Sequence, residues 1–278
     1  MTLTHPLNGL HQIADRYDAF LIDQFGVLHD GARLFPGASQ LLDELRVRGK
    51  RIAVLTNSGK RAGDNTKRLL AMGLRAAQFD AVVSSGEVAW QALASGAITV
   101  TGKAFIVGKS GDDYGFGDLG LAFTDDPAEA GVILILGSNA PKTTLEHYSA
   151  LLSNPAARAV PAICCNPDLL MMTSHGLLPA PGAIAAQYAA TGGPVTYVGK
   201  PEPLVYRHAL HLIGNPDPQA TLCIGDSIVH DVKGGRAAGL ATLLVRTGIS
   251  TGLSDGEIAA ECRAHAIAPD WMMPALQW

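Results

Sequence analysis

Four short segments hold residues able to do chemistry together: Asp23-Gln-Phe-Gly-Val-Leu-His-Asp-Gly31, Leu55-Thr-Asn-Ser58, Gly199-Lys-Pro-Glu-Pro203 and Gly225-Asp-Ser-Ile-Val-His-Asp231. Carboxylates can attack an electrophile or hold a hard cation. A lysine supplies a point charge, and a threonine hydroxyl a fixed donor. Taken singly, each also has a plainer meaning. A strand-terminal Asp is often a helix cap or turn residue, Thr56-Asn57 can cap the helix that follows, and Lys200 reads equally as a solvated surface lysine. Their arrangement sets them apart, because each segment follows an apolar run of strand type, one after another along the chain.

Those runs define the elements that must position the chemistry. Ala19–Asp23, Arg51–Thr56 and Ala81–Ser85 alternate with helical spacing at Pro36–Arg48 and a Lys/Arg-rich helix ending near Met72. The β-α-β-α-β order implies a parallel, doubly wound sheet, whose functional residues sit at the carboxyl ends of the strands. Asp23, Thr56 and Ser84 fall there. A second series follows at Lys103–Val107, Gly131–Leu136 and Ala159–Cys165, and the first pattern resumes with Val195–Val198, Thr221–Ile224 and Ala241–Val245. Gly/Pro-rich stretches at Gly96–Gly102 and Leu178–Gly182 mark the joins. The expected organisation is an α/β core of residues 1–87 and 181–278, split by an inserted α/β domain of residues 88–180.

Composition narrows the function classes. The 278 residues are 47% hydrophobic and 17% charged, ample for a sizeable core and for two domains. A net charge of −4 and a pI near 6.1 argue against a nucleic-acid or anionic-membrane partner, so any anion site must be a local pocket. Apolar runs such as Ala130–Leu136 are too short to span a bilayer, and the first fifteen residues lack an apolar signal core, which points to a cytoplasmic protein. The adjacent Cys164–Cys165, with Cys223 and Cys262, suits neither a disulfide framework nor a zinc knuckle and reads as small buried residues.

With the four segments in this order, the sequence resembles the haloacid dehalogenase superfamily, specifically its NagD-like branch with a large inserted cap. The resemblance covers nearly the whole chain, including Cys165-Asn-Pro-Asp168 and Leu178-Pro-Ala-Pro-Gly182. It implies a Rossmann-like core, a Mg²⁺ ion, and phosphoryl transfer through an aspartyl phosphate on a small phosphorylated metabolite. Asp23 would be the nucleophile. Mg²⁺ would be held by Asp23, the backbone carbonyl of Phe25 and Asp226. Lys200, Thr56 and Asn57 would bind the phosphoryl oxygens, and Asp231 would orient Lys200 or a metal-bound water. In the cap, Asn166, Asp168 and His175, with Met171 and Met172, are the candidates for substrate contact, although Asn166-Pro-Asp also reads as a turn and a methionine pair as core.

One residue departs from the pattern. Phosphatases of the superfamily carry a second aspartate two residues after the nucleophile, which protonates the leaving oxygen and then activates water. Here that residue is Phe25. Loss of a general acid–base typically costs about 10²–10⁴ in rate, or roughly 3–5 kcal/mol of barrier. Three readings stay open. A phosphatase could recruit His29, Asp30 or a metal-organised water, or act on esters whose leaving group needs little protonation. A degraded enzyme would bind a phosphometabolite or a partner without turnover. A haloacid dehalogenase would also carry an aromatic residue there, but has no need of the acidic residues Asp226 and Asp231.

Overall fold

The computed structural model describes residues 4–173 and 176–278. Its strands in chain order are β1 (His5–Pro6), β2 (Ala19–Asp23), β3 (Arg51–Thr56), β4 (Ala81–Ser84), β5 (Lys103–Val107), β6 (Ala130–Ile135) and β7 (Ala162–Cys164). They continue as β8 (Leu170–Thr173), β9 (Gly176–Pro179), β10 (Val195–Tyr197), β11 (Thr221–Gly225), β12 (Ala241–Val245) and β13 (Trp271–Met273). The chain divides into two compact units, one of residues 1–56, 65–83 and 200–278, the other of residues 57–64 and 84–199.

The first unit is built on a seven-stranded sheet in the order β1-β13-β12-β11-β2-β3-β4. The registers from β1 across to β3 are all parallel. Every residue of β2 is buried, as a central parallel strand covered on both faces requires. On one face Phe20, Ile22, Ile52, Val54, Leu222 and Ile224 pack under Leu41, Leu42 and Leu45 of the helix Ala38–Val47. That helix is formed by the apolar spacing read from the sequence, which turns one stripe inward. On the other face Gly235 lets the helix Lys233–Ala237 approach Cys223 and Thr242, where a Cβ would come within 2.9 Å of both side chains. The strand order reverses direction between β2 and β11, so the ends of these two strands form a switch point, the usual ligand position in such sheets.

The second unit has its own parallel sheet, ordered β10-β7-β6-β5, and a separate antiparallel hairpin of β8 and β9. Val107, Ile133, Ile135, Ala162 and Cys164 pack against Tyr148, Leu152, Ile184 and Tyr188 from its helices. The Rossmann-like core and the separate inserted α/β sheet are thus both present. The inserted unit runs beyond the 88–180 segment expected from the sequence. Val195–Tyr197 pairs in parallel with Ala162–Cys164, not with the core strands it resembles in composition. The core chain resumes at Lys200. All four cysteines are buried and free, and burial pushes the Cys164 thiol up to about 12. Among the described residues, no helix is long and apolar enough to cross a membrane.

Candidate active site

β2 ends in Asp23, and the neighbouring β3 ends in Thr56, one residue past the partner of Asp23. On the other side β11 delivers Asp226 just beyond its last residue. Lys200 opens the returning core segment and is 3% exposed. Its ammonium donates to Asp23 Oδ1 at 2.5 Å and to Asp231 Oδ1 at 2.7 Å. Asp231 lies in a π-helical turn, Ile228–Val232, whose first residues are capped by the Ser227 hydroxyl accepting from His230 N–H. Such turns are rare and aim side chains that a regular α-turn would place elsewhere. The second oxygen of Asp231 accepts from Ser227 N–H at 3.1 Å.

Asp23, Asp226 and Asp231 each offer a carboxylate oxygen within 4.8 Å of the others, and all three are buried. These three carboxylates gather around the Lys200 ammonium, which is bonded to Asp23 and Asp231. The consequence appears on Asp226. Burial, then the charges of Asp23 and Asp231, push its carboxyl well above the usual carboxylate range, against the pull of Ile249 N–H and Lys200. Burial alone would lower Lys200, but Asp23 and Asp231 outweigh it and hold the ammonium well above the usual lysine range. Three buried carboxylate oxygens within 4.8 Å of one another fit a hard divalent cation such as Mg²⁺.

Phe25 is half-buried, and its ring is held by its own loop. It stands edge-on to the His29 imidazole at 5.7 Å between centroids, and a Cβ on Gly31 would come 2.9 Å from its Cε2. The two residues proposed from sequence to take over proton transfer are both engaged within this loop. His29 is 0% exposed; its Nδ1 accepts from Gly31 N–H at 2.9 Å, and its Nε2 lies 3.0 Å from the Gln24 amide. An imidazole that accepts at Nδ1 must carry its proton on Nε2, so the Gln24 amide has to present its oxygen there. That orientation also gives the otherwise unpartnered Gln24 oxygen a donor. Burial first, then Arg68, lower His29 to about 4, with Asp30 opposing. Asp30 closes a turn by accepting from Ala32 and Arg33 N–H, and these bonds lower its carboxyl further. Sequence pointed to both by residue type; burial and turn geometry make one a neutral core imidazole and the other an ionised turn cap.

This burial has a measurable cost. His29 titrates near 6.5 when unfolded and near 4 when folded, so the unfolded chain binds the extra proton more readily between those values. Its contribution to stability is complete above pH 6.5 and is lost as pH falls to 4, by about 3 kcal/mol in total. Urea unfolding from pH 7 to pH 4 should show this loss in the natural chain, and a shallower decline in His29→Gln. Parallel declines would mean the ring is not held neutral.

In the second unit, the Asn57 amide donates to Asp168 Oδ1 at 2.8 Å, and its carbonyl oxygen accepts from the Ser85 hydroxyl at 3.0 Å. Two residues expected in separate roles are therefore partners. Asn166 accepts from Asp168 N–H at 3.1 Å, the turn that Asn-Pro-Asp suggests. His175 lies outside the described residues. The sequence reading missed the loop after β12, where Thr247, Ile249 and Ser250 reach Gly26 and Asp226. The signal available was its position: it too follows a core strand.

A family model described as haloacid dehalogenase-like hydrolase matches residues 20–122, and a second of the same kind matches 197–277. A dihydroxyacetone phosphatase of Corynebacterium glutamicum (strain R) is 34% identical over 248 residues, covering 86% of this chain and 84% of its own. The chain belongs to the haloacid dehalogenase-like hydrolases. Within them it is of the NagD-like type, with an inserted α/β cap. Among solved structures, a haloacid dehalogenase-like hydrolase from Brucella suis 1330 superposes with a TM-score of 0.85 at 28% identity, covering 97% of this chain and 99% of that one. A p-nitrophenyl phosphatase from Archaeoglobus fulgidus gives 0.74 at 27%, covering 93% and 96%.

Proposed function

We propose that this hydrolase cleaves small phosphate monoesters by displacement at phosphorus, with Asp23 as nucleophile and an aspartyl phosphate as intermediate. The observation that carries the proposal is the buried Lys200 ammonium joining Asp23 to Asp231 beside the Asp226 carboxylate. Lys200 orients the attacking carboxylate and offsets the repulsion between it and a phosphate dianion. Thr56 adds a hydroxyl donor for the phosphoryl oxygens. Asp231 keeps Lys200 in place. Asp23, the Phe25 carbonyl and Asp226 would hold Mg²⁺, which supplies charge neutralisation and Lewis-acid polarisation when bound. The relatives' names, a dihydroxyacetone phosphatase and a p-nitrophenyl phosphatase, support a substrate of that size. Asp168, oriented by Asn57 and Asn166, is the first residue to vary for substrate selectivity.

In this proposal Phe25 stands where a proton donor would serve the leaving group. A ring cannot transfer a proton, and neither His29 nor Asp30 is disposed to replace it. Aryl and acyl phosphates, whose leaving oxygens are weaker bases, should therefore turn over about 10²–10⁴ times faster than alkyl phosphates in the presence of Mg²⁺. Phe25→Asp should narrow that gap by raising the alkyl rate. The comparison is p-nitrophenyl phosphate against glycerol phosphate in both proteins. Equal rates in the natural chain would show that another group donates the proton. Release of halide from a haloacid without Mg²⁺ would favour dehalogenation, and binding without turnover would favour a non-catalytic role.

A further inference from the structure

In the loop after β12, the segment Thr247–Ser250 carries no charged side chain, yet it touches both segments assigned to the cation. Thr247 Oγ1 donates to Gly26 O at 2.5 Å. Ile249 N–H donates to Asp226 Oδ2 at 2.8 Å, and the buried Ser250 hydroxyl donates to Asp226 O at 2.6 Å. Gly26 and Gly248 both adopt positive φ, +87° and +54°, and a Cβ on either would strike the Asp226 carboxylate. The two backbones can pass at this separation only as glycines.

We propose that Thr247–Ser250 is a positioning clamp that fixes Phe25 and Asp226 as cation ligands. It rests on the reading that a divalent cation binds in the Asp23–Asp226–Asp231 cluster. The geometry assigns each contact a consequence. Ile249 N–H bonds Asp226 Oδ2 and so fixes the rotation of the carboxylate that would hold the cation. Ser250 fixes the backbone of Asp226 and thereby the root of that carboxylate. Gly26 is held at both ends, its carbonyl by Thr247 and its N–H by His29 O at 2.8 Å. In a trans peptide the carbonyl of Phe25 points opposite to the N–H of Gly26, so fixing the N–H aims the carbonyl. Thr247 then ties the nucleophile loop to the Asp226 loop, so the two ligands are set as a pair before the cation arrives. Groups that orient metal ligands in this way typically contribute 10–100-fold to affinity.

The test is calorimetric titration of Mg²⁺ alone into the metal-free protein, with thermal unfolding in parallel. Thr247→Val removes the hydroxyl at nearly constant shape and should weaken Mg²⁺ binding 10–100-fold. Thr247→Ser should restore it to within a few-fold. The rise in melting temperature given by a fixed Mg²⁺ concentration should shrink accordingly. Ser250→Ala tests the second contact independently, should Thr247→Val fail to fold. Asp226→Asn separates the two levels of the claim. If the natural protein binds Mg²⁺, Asp226→Asn does not, and Thr247→Val and Ser250→Ala both bind as tightly as the natural chain, the clamp is overturned and the cation site stands. A lowered metal-free melting temperature with unchanged affinity would also overturn it, since that is the mark of a merely structural loop. No Mg²⁺ binding by the natural protein would overturn both.

Discussion

Asp23→Asn is expected to abolish turnover of p-nitrophenyl phosphate, by about 10⁴–10⁶, the loss typical of removing a covalent nucleophile. The chain should stay folded. Asparagine keeps the shape and removes one of three mutually repelling buried carboxylates, while Lys200 retains Asp231 at 2.7 Å. The burden on Asp226 eases as well, since Asp23 is one of the charges that raises it. The metal-free melting temperature should therefore hold or rise as activity vanishes. A variant that loses activity only in proportion to lost folded protein would remove Asp23 from the chemistry.

Lys200→Met is expected to damage both activity and stability. The ammonium is buried and bonded to two carboxylates, so its removal takes a charge partner from each of Asp23 and Asp231. Breaking a buried pair from one side costs about 3–5 kcal/mol, well beyond the usual effect of a surface lysine. Turnover at saturating Mg²⁺ should fall by about 10²–10³ as one charged donor to the transition state is lost. One condition should recover part of the stability. Mg²⁺ supplies charge to the same carboxylates, so the gap from the natural chain should narrow with added Mg²⁺. Chemical denaturation at pH 7, with and without Mg²⁺, reads this. A gap that Mg²⁺ does not narrow would mean the lysine acts by packing alone.

The contrast between these variants reflects what could and could not be read from the sequence. The strand-end positions of Asp23, Thr56 and Asp226 were legible because a parallel sheet exposes its strand ends, and apolar runs show where strands stop. Asp231 followed from its segment, but the π-helical turn that aims it was not visible in residue type. The run Val195–Val198 reads as a return to the core because a short apolar strand looks the same in either sheet. Its partner, Ala162–Cys164, is a matter of tertiary pairing, which hydrophobicity does not encode. The strands His5–Pro6 and Trp271–Met273 were too short to leave a pattern. His29 shows what residue type leaves out. Histidine suggests proton transfer by type, but tertiary burial lowers it to about 4 and fixes both ring nitrogens. The Thr247–Ser250 loop escaped notice because it works through hydroxyls and backbone amides, and a search for charged residues passes over those.

The most direct measurement is rapid acid quench of the protein during turnover of p-nitrophenyl phosphate with Mg²⁺, followed by peptide mass spectrometry. With Asp23 as nucleophile and Phe25 unable to activate water, the second step should lag the first. A burst of about one p-nitrophenol per enzyme should precede slow steady turnover. The phosphoryl group should be found on Asp23 and be absent from Asp23→Asn. Steady turnover from the first cycle, with no phosphorylated peptide and with activity retained in Asp23→Asn, would contradict the account.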